Sequence, residues 1–267
     1  CYTGIRTKGK DTKMKQKVIS VVTEQKQLAT GIFSMRIKAE GLAEEARPGQ
    51  FVILYCNDQS RKLGRPLSIC EIDREKQELR IVYRVAGKGT EEFSKLKVGD
   101  TLAVLGPLGN GYDIHAEHVI LTAGGIGIPP MLELAKSLPG EKTIVLGYRN
   151  DELFLKEDFE KYGTVYIATD DGSAGIHGNV VDALKHYNVK GDMICACGPT
   201  PMLRALANYA DENQIEARFS MEAHMACGIG VCLGCAIPIK AEQGFVYKRV
   251  CKDGPVFDSK EIMFDEM

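Results

Sequence analysis

The pattern of apolar residues changes once along this chain of 267 residues, near residue 113. From 14 to 112 the chain holds short runs rich in Val, Ile, Leu and Tyr, such as IFSMRIK at 32–38 and ELRIVYRV at 78–85, separated by Gly and Pro turns. In ELRIVYRV, apolar and polar residues alternate. Several such runs at close spacing predict a small antiparallel β-barrel. From 113 to 214, strand-like runs such as HVILTAGG at 118–125 alternate with helical patterns such as PPMLELAKSL at 129–138 and DELFLKEDFEKY at 151–162. That alternation predicts a parallel sheet with helical crossovers.

The sequence therefore predicts a multi-domain β plus α/β protein. We expect a barrel domain over 14–112, a nucleotide-binding α/β domain over 113–214, and a small cysteine-bearing segment over 215–267. Residues 1–13 are basic, polar and aperiodic, and we interpret them as a leader or a remnant of an expression vector.

Composition argues against several classes of function. The formal net charge of −2 gives no reason to expect nucleic acid or an anionic membrane as a partner. No apolar run approaches the roughly 18 residues of a membrane-spanning helix, and no secretory signal is visible. We therefore expect a cytoplasmic protein whose thiols stay reduced, where a dense cysteine cluster binds metal rather than forming disulfides.

Such a cluster lies in the C-terminal segment. Cys227, Cys232 and Cys235 fall within nine residues, and Cys251 follows. The spacing C-x4-C-x2-C…C is the plant-type pattern of [2Fe–2S] ligands. A structural zinc ion is the less favoured alternative, because zinc sites usually combine two closely spaced cysteine pairs.

Two glycine-containing motifs in the α/β region indicate a nicotinamide site. GGIGIPP at 124–130 follows a strand and opens a helix, the context in which backbone amides bind a dinucleotide phosphate, although Pro130 stands where a third glycine is usual. CGPTPM at 197–202 follows a later strand, at the sheet edge where ligands bind. Each motif alone is also compatible with a plain turn.

Two further motifs lie in the barrel region. In RPLSI at 65–69, the arginine can bind a phosphate and the serine can hydrogen-bond a flavin nitrogen. In GKGT at 87–90, the amides and a hydroxyl can bind a pyrophosphate. Each alone is more simply interpreted as a turn.

Together, the motifs and the domain order resemble the ferredoxin–NADP⁺ reductase superfamily. RPLSI is similar to its flavin motif R-x-Y-S, GGIGIPP to its glycine motif and CGPTPM to its C-G-P motif. The cysteine loop narrows the resemblance. MEAHMACGIGVCLGCAIP at 221–238, with VCKDGPVF at 250–257, resembles the electron-transfer subunits of NAD⁺-linked dihydroorotate dehydrogenases.

The resemblance implies roles for individual residues. It implies that FAD is held by Arg65 at the pyrophosphate, Ser68 near flavin N5, Pro66 and Leu67 in the same turn, and Gly89 and Thr90 near the phosphates. It implies that NAD is held by Gly124, Gly125 and Gly127 at the pyrophosphate, and by Cys197, Gly198 and Pro199 at the nicotinamide. The four cluster ligands would be Cys227, Cys232, Cys235 and Cys251. Leu67 stands where a stacking tyrosine is common, so the flavin face there would be aliphatic.

The resemblance also implies a function. Electrons would pass from the FMN of a separate catalytic subunit through [2Fe–2S] and FAD to NAD⁺, in pyrimidine (UMP) biosynthesis, within a heterotetramer of two copies of each subunit. The alternative is the small subunit of a related oxidoreductase of ferredoxin:NADP⁺ oxidoreductase, hydrogenase or sulfite reductase type. A redox-inactive, zinc-stabilised binding module is a third possibility. NAD and NADP are not distinguished, because Arg149 could bind a 2′-phosphate while Asp151 and Glu152 oppose it.

Overall fold

The computed structural model describes residues 16–267, with only the backbone of Gln16, so the predicted leader at 1–13 lies outside the described residues. The first unit is a closed antiparallel barrel of six strands in the order β1-β2-β5-β4-β3-β6. Its strands are β1 (Gln16–Ala29), β2 (Ile32–Lys38), β3 (Phe51–Tyr55), β4 (Arg65–Asp73), β5 (Glu78–Arg84) and β6 (Thr101–Leu108). Two short helices, α1 (Leu42–Glu45) and α2 (Lys88–Ser94), lie in the connections.

The second unit is a seven-stranded sheet in the order β10-β9-β8-β7-β11-β12-β15. Its strands are β7 (His118–Gly124), β8 (Glu141–Tyr148), β9 (Thr164–Thr169), β10 (Ile176–His177), β11 (Met193–Cys197), β12 (Glu216–Ser220) and β15 (Val256–Asp258). The strands are parallel except β15, which runs antiparallel to β12. The helices of this unit are α3 (Ile128–Ser137), α4 (Lys156–Phe159), α5 (Val180–His186) and α6 (Thr200–Asn213).

The predicted fold class is confirmed: a β-barrel is followed by a parallel α/β sheet and by a C-terminal segment with a cysteine loop. The alternating apolar residues of ELRIVYRV behave as expected, since Leu79, Ile81 and Tyr83 are buried inside the barrel.

One predicted helix is wrong. The segment 151–162 was expected to be helical, but α4 spans only Lys156–Phe159. Leu155 just before it has a left-handed backbone with φ of 67°. The preceding turn carries Glu152 to the barrel, where its carboxylate accepts hydrogen bonds from the N–H and hydroxyl of Thr30 at 2.8 and 2.6 Å. This tertiary contact outweighs the helical propensity of the segment.

The C-terminal segment is integrated with both units. The cysteine loop leads into a hairpin of β13 (Ala236–Lys240) and β14 (Phe245–Arg249). β12 and β15 flank this part of the chain and extend the α/β sheet. One apolar cluster contains Phe51 and Ile53 of the barrel, Phe219 of the sheet, and the buried Cys235 and Cys251. The cysteine loop is therefore held by a core that barrel and sheet share.

Candidate functional site

The cysteine loop bends tightly because its glycines adopt left-handed backbone conformations. Gly228 and Gly230 have φ of 65° and 82°. A Cβ on Gly228 would lie 2.1 Å from Ile53 Cδ1, and one on Gly230 would lie 2.6 Å from Lys252 Cδ. Only glycine fits both the conformation and the space. The loop is thus pressed against barrel strand β3 on one side and the turn after β14 on the other.

An arginine that the sequence analysis did not identify ties the loop to the fourth cysteine. Arg249 donates from Nη1 to the carbonyl of Gly230 at 2.9 Å. The same guanidinium forms a two-pronged ion pair with Asp253, at 2.9 and 3.1 Å. Asp253 also accepts the N–H of Arg249 at 2.8 Å. Cys251 lies within this turn, so Arg249 fixes its position relative to the loop that carries the other three cysteines.

The four cysteines are arranged as two pairs, and their sulfurs receive backbone donors. Side-chain hydrogen bonds join Cys227 to Cys232 and Cys235 to Cys251. The N–H groups of Val231 and Cys232 each point at Cys227 Sγ at 3.4 Å. Slight burial opposes ionisation of Cys227, but the backbone N–H donors outweigh it and lower its pKa to about 6. A sulfur held ready as thiolate is a suitable metal ligand.

The arrangement of the four sulfurs fits a two-iron cluster. Two separate cysteine pairs match the two irons of a [2Fe–2S] cluster, each bound by two thiolates. Amides directed at the sulfurs are the outer-shell interactions that such clusters use.

The two glycine motifs of the α/β sheet meet backbone to backbone. A Cβ on Gly127 would lie 2.4 Å from the carbonyl oxygen of Cys197 and 2.6 Å from Gly198 Cα. A Cβ on Gly124 would lie 2.6 Å from Met202 Sδ. The motifs stand at the ends of β7 and β11, which are neighbours in the sheet. Parallel strands therefore bring together two sites that are about 70 residues apart in sequence.

A cavity of about 820 Å³ opens beside these motifs. That volume is within the range of small-molecule and cofactor sites. Its walls come from the α/β sheet and from the barrel, and they include five of the predicted residues: Gly124, Gly125, Gly127, Gly198 and Pro199. The sequence analysis did not identify several other lining residues, among them Arg84, Asp170 and Glu222. They lie on separate elements and share no motif.

Cys197 is placed differently from its neighbours. Its side chain is 1% exposed, and it is not among the residues that line the cavity. Burial raises the pKa of the Cys197 thiol, and Glu222 nearby raises it further, so the sulfur stays protonated. The structure therefore shows a buried thiol behind the cavity wall.

Glu222 is one of the acidic residues that line this cavity. Water that enters the cavity reaches its side chain, but the surrounding protein removes enough solvent to raise the pKa of its carboxyl group. Arg84, which also lines the cavity, lowers the pKa of Glu222 and so acts in the other direction. Gly125 approaches the same arginine, since a Cβ there would lie 3.5 Å from Arg84 Nη2. A carboxylate and a guanidinium thus line the same cavity as the glycine turn.

The flavin motif occupies the start of β4. Arg65, Pro66, Leu67 and Ser68 form the stretch of β4 that pairs with β3. The Arg65 guanidinium donates to the carbonyl of Leu63 and lies directly over Gly89, where a Cβ would come within 2.0 Å of Nε. The absence of a side chain at Gly89 therefore leaves the space that the Arg65 guanidinium occupies. This brings RPLSI and GKGT into one site, a cradle suited to a phosphate group.

Thr90 organises the second half of that cradle. Its hydroxyl oxygen accepts the N–H groups of Ala86 and Gly87 at 2.9 and 3.2 Å, and it donates to the carbonyl of Gly87 at 3.0 Å. The hydroxyl is thus committed to the turn before α2. In this structure, the Thr90 hydroxyl therefore shapes the turn.

Sequence families match both ends of the chain. Residues 20–112 match the family described as oxidoreductase FAD-binding domain. Residues 222–263 match the family described as iron-sulfur cluster binding domain of dihydroorotate dehydrogenase B. The first covers the barrel with Arg65 and Gly89, and the second covers all four clustered cysteines.

Solved structures share the fold. A chain from the structure of the NADH-dependent reduced ferredoxin-NADP oxidoreductase is 31% identical, with a TM-score of 0.85 over 93% of this chain and 91% of that one. The ferredoxin reductase of carbazole 1,9a-dioxygenase is 17% identical, with a TM-score of 0.65 over 78% and 70%, and shows likeness of fold alone.

Relatives of known name match nearly the whole chain. The dihydroorotate dehydrogenase B (NAD(+)) electron transfer subunit of Caldanaerobacter subterraneus subsp. tengcongensis is 39% identical, over 94% of this chain and 99% of its own. The protein of the same name from Streptococcus pneumoniae is 41% identical, over 88% and 94%. With identity of this extent, the chain belongs to the family of dihydroorotate dehydrogenase B (NAD⁺) electron transfer subunits.

Proposed function

We propose that this chain receives electrons from the FMN of a separate dihydroorotate-oxidising subunit and delivers them to NAD⁺, in pyrimidine (UMP) biosynthesis. Bound FAD supplies the ability to exchange hydride with a nicotinamide and single electrons with an iron–sulfur cluster. Arg65, Ser68 and Gly89 would hold the FAD, with Pro66, Leu67 and Thr90 shaping its site. Gly124, Gly125, Gly127, Gly198 and Pro199 would hold NAD, with Cys197 behind them. The four clustered cysteines would hold [2Fe–2S].

The close packing of the three sites is the observation that carries the proposal. Gly228 of the cysteine loop lies against Ile53 of β3. Ile53 pairs with Pro66 of the flavin motif. Arg84, at the end of the neighbouring β5, faces the cavity with the nicotinamide motifs. A continuous set of elements therefore leads from the cysteine loop, past the flavin motif, to the cavity.

The partner is proposed to bind at the cysteine loop. Exposed apolar side chains concentrate there and on the hairpin that follows: Ile229, Val231, Leu233, Phe245, Val246 and Tyr247. Val231 is 74% exposed and Tyr247 is 67% exposed, and Arg249 links the loop to the hairpin. Exposed apolar surface of this kind marks protein–protein interfaces. Docking here would bring the partner next to the cluster ligands.

Three finer points belong to the same proposal. We propose a heterotetramer of two copies of each subunit, working in the cytoplasm, where free thiols such as those of the eight described cysteines persist. We also propose that the chain is divided into a barrel unit at 14–112, an α/β unit at 113–214 and a cluster-binding segment at 215–267. No helix in the part of the chain described here is long and apolar enough to cross a bilayer.

The alternative is the small subunit of an NADH-dependent ferredoxin:NADP⁺ oxidoreductase or a related enzyme. The structural likeness at a TM-score of 0.85 supports it. The identity of 31% to that chain is below the 39% to 41% shared with the dihydroorotate dehydrogenase B subunits. The iron–sulfur family match favours the first function.

The test is to purify the chain with its partner from native lysate and to assay dihydroorotate-dependent NAD⁺ reduction. We expect an FMN-containing partner, and activity in the complex that neither subunit has alone. A hydrogenase, sulfite reductase or glutamate-synthase-like partner would keep the cofactor assignments and overturn the substrate. A purified chain without flavin and iron–sulfur absorption would overturn the redox function itself.

A matched pair of variants tests the docking surface. Val231→Asp should weaken partner binding, since a charge is placed at the centre of the apolar surface. Val98→Asp is the control, because Val98 is similarly exposed, at 68%, but lies away from the cysteine loop. Val98 precedes the start of β6, whereas the loop residue Gly228 lies near Leu108 at the other end of that strand. Dye-linked NADH oxidation should be unchanged in both. Equal partner affinity of the two variants would place the interface elsewhere.

A further inference from the structure

One residue of the flavin strand is held by two side chains of the nicotinamide helix. Ile72 in β4 donates its N–H to Glu133 Oε2 at 2.8 Å. The carbonyl of Ile72 accepts a hydrogen bond from Lys136 Nζ at 3.0 Å. Glu133 and Lys136 stand one turn apart on α3, and their charged groups are 3.7 Å apart. The pair binds both backbone polar groups of Ile72, as a neighbouring strand would.

The strand needs this partner because its own neighbour is missing at Ile72. From Arg65 to Ser68, β4 pairs with β3 on one side. Nearer its end, Ile72 pairs with Leu79 of β5 on the other side. The side that faced β3 is then covered by α3. A buried strand edge must have its N–H and C=O groups satisfied, and here helix side chains satisfy them.

The burial of Glu133 shows that the contact is specific. Its side chain is 2% exposed, and Ser137 donates to its other carboxylate oxygen at 3.2 Å. A buried carboxylate is unfavourable unless it is well paired, and burial accordingly raises the pKa of Glu133. An aliphatic residue at 133 would satisfy packing alone but would leave the Ile72 N–H without an acceptor.

The two elements joined here each carry a cofactor motif at their start. β4 begins with Arg65–Ser68, and α3 follows directly on Gly124–Gly127. Glu133 lies about 9 Å along the helix from Gly127. Ile72 lies about 13 Å along the strand from Ser68. Over such short, regular segments, fixing one contact fixes the relative position of the two motifs.

We propose that Glu133 and Lys136 are positioning residues for hydride exchange between nicotinamide and flavin. By holding Ile72, they set the glycine turn before α3 at a fixed distance from the flavin motif in β4. The inference rests on the proposed function of these two motifs. Neither side chain lines the cavity, so both act through the elements that they join.

The test measures flavin reduction by NADH in the FAD- and cluster-loaded chain, using rapid mixing. Glu133→Leu should lower the limiting rate by about 10- to 100-fold, the effect of a misplacement of roughly 1 Å at a reacting centre. The affinity for ADP-ribose and the FAD content should stay at wild-type values, because neither depends on the distance between the motifs. Glu133→Gln retains an acceptor for the Ile72 N–H and should restore most of the rate.

Two further variants separate positioning from general stability. Ser137→Ala removes only the hydrogen bond to the other carboxylate oxygen and should keep the wild-type rate. Lys136→Met keeps the stem of a partly exposed side chain, removes the donor to the Ile72 carbonyl and should slow reduction. If Glu133→Leu does not fold, Lys136→Met decides the question.

Several outcomes would overturn the inference. Wild-type rates in both Glu133→Leu and Lys136→Met would do so, as would a loss of rate that only follows loss of FAD. Failure of Glu133→Gln to recover any rate would also count against positioning through this hydrogen bond. If NADH does not reduce the flavin of the wild-type chain, the proposed function falls, and the inference with it.

Discussion

At the scale of single residues, Glu222 is the group whose charge state should affect the nicotinamide. It lines the cavity with Gly198 and Pro199, and burial raises the pKa of its carboxyl group while Arg84 opposes the rise. An ionised Glu222 would favour NAD⁺, whose ring is positively charged, over NADH. The pKa of the Glu222 carboxyl group lies above its ordinary value. The preference for NAD⁺ is therefore present at higher pH, where the group is ionised, and is lost as the pH falls through the raised pKa.

Glu222→Gln should therefore weaken NAD⁺ binding by about tenfold, or ~1.4 kcal/mol, and leave NADH binding nearly unchanged. It should also abolish the pH dependence of the affinity ratio. Both dissociation constants can be measured by titration between pH 5 and 8. A pH dependence that persists in the variant would assign the titration to another group.

Asp170 should decide between NAD and NADP, the choice that Arg149 leaves open in the sequence. Both residues line the cavity, and Asp170 follows directly on β9. Within residues 16–267, the Asp170 carboxylate has no hydrogen bond or ion pair with another side chain. Glu152, which the sequence also suggested, is engaged with Thr30 instead. A free carboxylate can accept the ribose 2′-hydroxyl and repels a 2′-phosphate.

Asp170→Asn should reduce the preference for NADH over NADPH by about tenfold, mainly through tighter NADPH binding. Asp171→Asn is the control, since the Asp171 carboxylate accepts from the N–H and hydroxyl of Ser173 at 2.9 and 2.6 Å and does not line the cavity. Dissociation constants for the two nucleotides give the ratio directly. An unchanged ratio in Asp170→Asn would show that Arg149 or the backbone sets the specificity.

At the scale of elements, the cysteine loop depends on its contact with β3. Gly228→Ala would impose a left-handed alanine and a Cβ 2.1 Å from Ile53 Cδ1. The loop should shift and lose most of its iron, as measured by iron content and visible absorption. Gly244→Ala is the matched control, because Gly244 has φ of 71° in the next hairpin but no atom within 4 Å of its Cβ position.

Combining Gly228→Ala with Ile53→Ala separates the two causes of the loss. The double variant removes the clash and keeps the strained backbone, so it should recover part of the iron. Full iron content in Gly228→Ala alone would mean that the loop does not rely on β3 for its shape.

Also at this scale, elements that depend on local sequence patterns could be predicted, whereas features that depend on contacts between distant segments could not. The boundaries of β2 and α3 follow the sequence closely, because alternation and a Pro-containing helix start are local signals. The helix over 151–162 could not be rejected from sequence, since its shortening comes from the contact of Glu152 with Thr30, 122 residues away. Arg249, Glu222 and Glu133 were missed for the same reason: their partners or surroundings come from distant segments.

At the scale of the whole molecule, the barrel and the α/β sheet share cores. One cluster joins Ile32, Cys70 and Val82 of the barrel to Met131 of α3 and Leu121 of β7. Arg80 of the barrel also pairs with Asp158 of α4 at 3.1 Å. Units that share buried surface to this degree should unfold together, although the sequence alone suggests separable domains.

Leu79→Ala tests this cooperativity. Leu79 is fully buried in the cluster formed by barrel residues alone, so its truncation should cost ~2–5 kcal/mol at a site remote from the sheet. Flavin release reports on the barrel, and circular dichroism at the helix band reports mainly on the α/β unit, which carries α3, α5 and α6. With shared cores, the substitution should lower both midpoints equally. A shift in flavin release alone would mean that the barrel unfolds independently, and that the contacts of Ile72, Thr30 and Arg80 with the α/β unit contribute little to its stability.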